Sequence, residues 1–142
     1  MSDLTAPKNR CSMTPVRIYH EDTDAGGVVY HANYLRYMER ARTDWLTEKG
    51  WDHQYLAVAY NMGFVVRSVR VKYFQPARLG QNLEVFACFE SYRHGLLTFN
   101  QTVVSQAKVL VQGTVVVVAI DLKEFQKKDL PKELIQMIGE LV

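Results

Sequence analysis

Long apolar runs are missing from this chain. The longest, Val115 to Ile120, is far too short to cross a bilayer. Met1 to Pro15 is polar and lacks the apolar core of a secretory signal. These absences point to a cytoplasmic protein without membrane insertion. Cysteine is scarce as well, with 2 in 142 residues, Cys11 and Cys88. Two cysteines cannot make a disulfide framework, and no CxxC pair suggests zinc. The expectation is one cysteine in a tail and one buried in a strand, in a reducing compartment. A dominant sign of charge is missing too: 17 basic residues face 15 acidic ones, for a net charge of +2. That balance excludes wholesale nucleic-acid binding and leaves room for a local anion site.

What is present fits one folded domain. The mass is 16.4 kDa and 48% of residues are hydrophobic, enough for one core and no second domain. Residues 1–14 read as a flexible lead-in, and 15–142 as a single domain. Val16 to Glu21 has the β-branched and aromatic content of a short strand. Asp22-Thr-Asp-Ala-Gly-Gly27 then demands turn geometry.

From about His31 to Lys49 the pattern is helical. Tyr34, Tyr37, Met38, Ala41 and Trp45 recur three and four residues apart and share one face, which reads as core packing. Arg36, Arg40 and Asp44 share another, and Gly50 stops the helix. Asp52 to Tyr60 suggests a second, short helix. Asn61-Met-Gly63 reads as a turn, and from Phe64 onward the chain is a succession of strands: Ser68 to Tyr73, strictly alternating, then Gln81 to Tyr92, Leu96 to Ser105 and Lys108 to Asp121, with Arg93-His94-Gly95 as a hairpin turn. Val115 to Ile120 is apolar on both faces, as in a strand covered on both sides. Pro131 opens a short amphipathic helix carrying Leu134, Ile135 and Ile138. One long helix against antiparallel strands is an α+β architecture.

The segment that stands out is Tyr19 to Tyr34. Three acids fall within four residues, then two glycines, then aromatics and a histidine entering the helix. A solvated acidic loop is the default reading. Against it, paired glycines permit backbone angles and close approaches denied to other residues. The turn also delivers a carboxylate to a helix start, whose unpaired N–H groups favour developing negative charge. Carboxylate plus N–H donors is a hydrolytic arrangement.

Other chemistries fail on the same residues. Asp22-x-Asp24-x-Gly26-Gly27 has glycine, not Asp or Asn, at the fifth position of a calcium loop, and Asn33 stands where Glu should close it. His20, His31, His53 and His94 share no metal-ligand spacing. No serine sits in a Gly-x-Ser-x-Gly elbow, and neither a P-loop nor a dinucleotide fingerprint occurs. Carboxylate chemistry without metal or cofactor is what remains.

The run Val-Arg-Ile-Tyr-His-Glu-Asp-Thr-Asp-Ala-Gly-Gly-Val-Val-Tyr-His-Ala-Asn-Tyr, residues 16–34, resembles the signature of the 4-hydroxybenzoyl-CoA-thioesterase-like hotdog family. Within it, the run resembles the YbgC-type acyl-CoA thioesterases linked to the bacterial Tol-Pal system. Glu39-Arg-Ala-Arg42, Phe64-Val-Val-Arg67, Tyr73-x-x-Pro-Ala-Arg-Leu79 and Leu130-Pro-Lys132 extend the resemblance over about residues 15–135.

The resemblance implies a hotdog fold, a curled antiparallel sheet wrapped around one long helix. It implies a homodimer or homotetramer with sites between subunits, and hydrolysis of acyl-CoA or acyl-carrier-protein thioesters. Asp24 matches the family's catalytic carboxylate, as nucleophile or general base. His31 falls where a backbone N–H polarises the thioester carbonyl, with Gly26, Gly27 and Tyr30 in the same positioning turn. Arg93 and His94 match a turn that binds CoA phosphates, although its third basic position is Gly95 here. Asp22 and Glu21 are read as turn-forming acids, Glu39 as a helix-surface partner of Arg42, and Arg67, Arg70 and Lys72 as a polar strand edge. A thioester needs no metal, because its carbonyl is electrophilic and a thiolate leaves readily. The alternative function is a hotdog module that binds acyl-CoA or acyl carrier protein without turnover.

Overall fold

The computed structural model describes residues 10–141. Five strands form one antiparallel sheet in the order β1-β3-β4-β5-β2. They are β1 (Cys11–Arg17), β2 (Met62–Tyr73), β3 (Asn82–Arg93), β4 (Leu96–Ser105) and β5 (Lys108–Asp121). Helix α1 (Asn33–Glu48) packs across the sheet; α2 (His53–Tyr60) and α3 (Lys132–Gly139) are short. This is the expected α+β arrangement of one long helix against a sheet.

Helix α1 buries the stripe its spacing announces. Tyr34, Tyr37, Met38, Ala41 and Trp45 are all at most 2% exposed. Trp45 stacks on Phe89 of β3 at 5.5 Å and meets Phe99 of β4 edge-on at 5.2 Å. Burying each such side chain contributes roughly 1.5–3 kcal/mol, which holds the helix to the sheet. Gly50, at φ +85°, reverses the chain after the helix, as its position foretold. Asp52 caps α2 by accepting from the Tyr55 N–H at 2.7 Å.

The first strand differs from the expectation in place. It lies at Cys11–Arg17, and His20–Asp22 instead makes a single 3₁₀ turn. Arg17 already stands opposite Asn82, so the chain beyond it leaves the sheet and the acids form the turn. Residues 11–14 are thus paired strand rather than flexible lead-in, and residues 1–9 lie outside the described residues. Pro15 is tolerated because β1 is an edge strand.

The cysteine expectation is also corrected. Cys11 and Cys88 stand opposite each other in the β1–β3 register and form a disulfide across 77 residues of chain. Long-range strand pairing brings them together, and no local spacing could reveal it. The inference of a reducing compartment from isolated cysteines thereby loses its premise.

Two further differences concern β5 and β2. Val115 and Val117 are buried against the helix side, but Val116 and Val118 on the other face are only half-buried. The strand is therefore well covered on one side only. β2 does not pair with β3, the next strand in the chain, but crosses to the far edge beside β5. Its outer edge has no neighbour among the described residues, and Val66 and Val69 are 50% and 41% exposed there. No helix among the described residues is long and apolar enough to cross a membrane.

Candidate active site

The acid-rich segment folds into a small hairpin tied to the start of α1. Thr23 bridges Val29, and the Asp24 N–H donates to the Val28 carbonyl at 2.9 Å. Gly27, at φ +79°, makes the reversal, and its N–H returns to the Asp24 carbonyl at 3.1 Å. The hairpin is anchored outward as well: Val28 bridges Arg78, and the Val29 N–H donates to the Ala77 carbonyl at 2.8 Å.

Within the hairpin the two aspartates are used differently. Asp22 works inward: its Oδ2 accepts from the Tyr19 N–H at 2.8 Å. Its carbonyl takes the Tyr30 N–H at 3.0 Å and the Asn33 Nδ2 at 2.9 Å. Asn33 is nearly buried and is the first residue of α1, so Asp22 locks the hairpin to the helix. Asp24 points outward. It is exposed, and Oδ1 accepts only the Gly26 N–H, at 2.8 Å, among the described residues. The carboxylate is therefore oriented by one donor and otherwise open to a ligand.

His31 lies one residue before the cap of α1. Among the described residues no acceptor takes its backbone N–H. Its carbonyl accepts from the Tyr73 hydroxyl at 3.2 Å, and its ring meets Tyr30 at 4.6 Å and Tyr73 at 6.4 Å. Beside it opens a cleft between Val29, His31 and Tyr34 and the chain from Tyr73 to Pro76. Tyr34 closes the floor by accepting from the Ala77 N–H at 3.0 Å, and burial pushes its phenol pKa up. Tyr73, at the end of β2, was visible in the sequence only as part of a wider match. Its role as a wall comes from the β2–β5 pairing.

The structure thus brings Asp24, Gly26, Gly27, Tyr30 and His31 into one place. It does not bring Arg93 and His94 to them. These two form the turn at the far end of β3, with His94 and Gly95 both at positive φ and Lys127 Nζ donating to the His94 carbonyl at 2.6 Å. β3 leaves the hairpin end at Asn82, after Ile18 N–H donates to the Gln81 carbonyl. Its 12 residues carry Arg93 about 36 Å away at roughly 3.3 Å per residue.

Glu39 and Arg42 are not the expected pair. The one ion pair among the described residues joins Lys128 and Asp121 at 3.5 Å, and Arg42 instead donates to Gln101 Oε1 at 2.9 Å. Arg67, Arg70 and Lys72 are exposed on β2, as expected of a polar edge. No cluster of three or more His, Cys, Asp or Glu side chains suited to a metal occurs among the described residues.

Residues 18–138 match the model of the thioesterase-like superfamily. The chain belongs to that superfamily. It is 43% identical, over 85% of its length and 90% of the relative's, to the acyl-CoA thioester hydrolase YbgC of Shigella flexneri. It is 38% identical to the acyl-CoA thioesterase YbgC of Haemophilus influenzae, over 84% of this chain and 88% of that one. Among solved structures it superposes on a probable thioesterase from Bartonella henselae with a TM-score of 0.81 and 28% identity, covering 85% of this chain and 99% of that one. The superfamily's hotdog fold is the one described above, with α1 as its central helix.

Proposed function

We propose that this protein hydrolyses acyl-CoA thioesters to the free acid and CoA, with Asp24 as the catalytic carboxylate. The observation that carries the proposal is the outward-facing Asp24 carboxylate on a hairpin locked to the helix start where the His31 N–H is unclaimed. That N–H is suited to hold the thioester oxygen as it gains charge. Asp24 then either attacks the carbonyl carbon, expelling the thiolate and leaving an anhydride for water to open, or draws a proton from the attacking water. Gly26 orients the carboxylate, Gly27 turns the hairpin, and Tyr30 lies against the His31 ring. Acyl-carrier-protein thioesters present the same reacting group and are the second candidate substrate. No metal or redox cofactor enters this chemistry, and a cytoplasmic location goes with CoA substrates.

The working unit in this reading is at least a homodimer formed through β2. Its open edge and exposed Val66 and Val69 call for a neighbouring strand. A two-fold, antiparallel pairing of β2 with its copy sets the Met62 end of one strand against the Tyr73 end of the other. Arg93 lies level with the Met62 end, because Arg93 pairs with Leu96, Leu96 with Val118 and Val118 with Val65. The Asp24 hairpin and Tyr73 lie at the opposite end, so CoA bound to one subunit's site can reach the partner's Arg93 and the partner's His94.

A panel of acyl-CoAs tests the catalytic claim. Wild-type protein should release thiol, and Asp24→Asn should lower kcat by roughly 10²–10⁴-fold with the fold intact. If wild-type protein binds acyl-CoA without releasing thiol, the non-catalytic binding module is the correct reading. If Asp22→Asn or Glu39→Gln abolishes turnover while Asp24→Asn retains it, Asp24 is not the catalytic group.

A further inference from the structure

The backbone around the His31 N–H is held from two sides, by different parts of the fold. On one side the partners are local. The Tyr30 N–H donates to the Asp22 carbonyl at 3.0 Å, and the Tyr30 carbonyl accepts from the Asn33 N–H at 2.8 Å. On the other side stands a distant group, the Tyr73 hydroxyl, which donates to the His31 carbonyl at 3.2 Å across 42 residues of chain. His31 precedes α1 and its cap, and no backbone N–H donates to its carbonyl among the described residues. No helical ladder therefore fixes this residue, and Tyr73 does.

Tyr73 is itself well placed to do so. It stands opposite Val111 in the β2–β5 ladder, and the following N–H, of Phe74, donates to the Leu110 carbonyl at 2.8 Å. Its ring meets that of buried Tyr34 at 5.7 Å, and Tyr34 accepts in turn from the Ala77 N–H. A turn residue is thus located by a sheet strand, which holds a site more firmly than a loop can. Aim matters here because an N–H stabilises developing charge only when it points at the oxygen, and a misplacement of about 1 Å can cost on the order of 10²-fold in rate. Stability depends much less on this bond. Tyr73 is 49% exposed, so water can replace its hydroxyl at the His31 carbonyl.

We propose that Tyr73 is a positioning residue for hydrolysis: its hydroxyl, acting through the His31 carbonyl, aims the His31 N–H at the thioester oxygen. This rests on the reading that the His31 N–H holds that oxygen.

Tyr73→Phe removes the hydroxyl and leaves the ring against Tyr34, so it tests the proposal without removing a wall of the cleft. It should lower kcat about 10-fold and keep KM for acyl-CoA within about twofold of wild type, with the melting temperature nearly unchanged. A second measurement reads the N–H contact without turnover. Asp24→Asn protein is given hexanoyl-CoA or benzoyl-CoA, whichever the wild type hydrolyses faster, isotopically labelled at the thioester carbonyl carbon. Infrared difference spectra should show the carbonyl band at lower frequency bound than free, as a hydrogen bond to the oxygen requires. In the Asp24→Asn, Tyr73→Phe double variant the band should return most of the way to its free position. An unchanged band in the double variant, or wild-type kcat in Tyr73→Phe, would overturn the proposal and leave the role of the His31 N–H standing. So would a raised KM with unchanged kcat, which would make Tyr73 a wall of the cleft alone. A band that does not move when the substrate binds Asp24→Asn protein would overturn the His31 reading itself, and the role of Tyr73 with it.

Discussion

The Gly26 N–H donates to Oδ1 of Asp24 at 2.8 Å, and a Cβ built on Gly26 would lie 3.3 Å from that same oxygen. Gly26 therefore both orients the carboxylate and leaves it room. Gly27 has a different task, since its φ of +79° is open to glycine at little cost, and a Cβ there would meet nothing within 4 Å. Alanine at the two positions should separate these effects. Gly26→Ala should lower kcat several-fold with the melting temperature nearly unchanged, because only the carboxylate is displaced. Gly27→Ala should cost about 1–2 kcal/mol of stability through backbone strain. Thermal melts beside steady-state kinetics check both; a Gly26→Ala enzyme with wild-type kcat would mean that Asp24 is oriented by something else.

How much of this was legible beforehand depends on the range of the interactions. The α1 stripe from Tyr34 to Trp45 was readable because helical periodicity is local, and its residues are buried as read. The hairpin was readable because glycines and acids mark a turn within six residues. The start of β1 was misread because its pairing partner lies some 70 residues downstream in β3, and Tyr19 to Glu21, read as the strand's continuation, has no strand to pair with. The disulfide and the Gln101–Arg42 hydrogen bond escaped for the same reason. Each joins residues brought together only by strand order. Glu39 and Arg42 illustrate the converse. Their i, i+3 spacing invites an ion pair, but a buried amide on β4 takes the guanidinium instead.

The open edge of β2 carries a prediction about assembly. Val69 is 41% exposed in the middle of that strand. Val69→Asp should place a carboxylate, and in a two-fold contact two of them, in the proposed β2–β2 interface. Sedimentation should then show a shift from dimer or larger assembly to monomer at micromolar concentration, together with loss of turnover. Circular dichroism should remain that of the folded chain. A Val69→Asp protein that stays assembled and active would exclude β2 as the contact.

Cys11 and Cys88 tie an edge strand to the sheet across 77 residues of chain. A loop of that length should contribute about 4 kcal/mol by restricting the unfolded chain. Urea unfolding of Cys11→Ser in oxidising buffer should therefore show a lower midpoint than wild type. In dithiothreitol the two proteins should nearly coincide. Equal midpoints in oxidising buffer would mean that the bond does not form in solution or that β1 contributes little to global stability.

The separation of Arg93 from Asp24 yields the sharpest test of the shared site. Within one chain they lie at opposite ends of a 12-residue strand, so a single subunit cannot use both on one CoA. Arginine binds phosphate through directed, charge-assisted hydrogen bonds. Arg93→Ala should accordingly raise KM for acyl-CoA, leave kcat nearly intact, and spare a short acyl-pantetheine thioester that lacks the nucleotide phosphates. Mixing subunits then decides which chain supplies the contact. Asp24→Asn homodimers should be inactive, and Arg93→Ala homodimers should show the raised KM. In a mixed dimer, the working Asp24 belongs to the Arg93→Ala chain and faces the intact arginine of the other chain. That site should recover the wild-type KM. A mixed dimer that keeps the raised KM would place any phosphate contact of Arg93 within its own chain. An unchanged KM in the Arg93→Ala homodimer would leave Arg93 as a solvated turn residue.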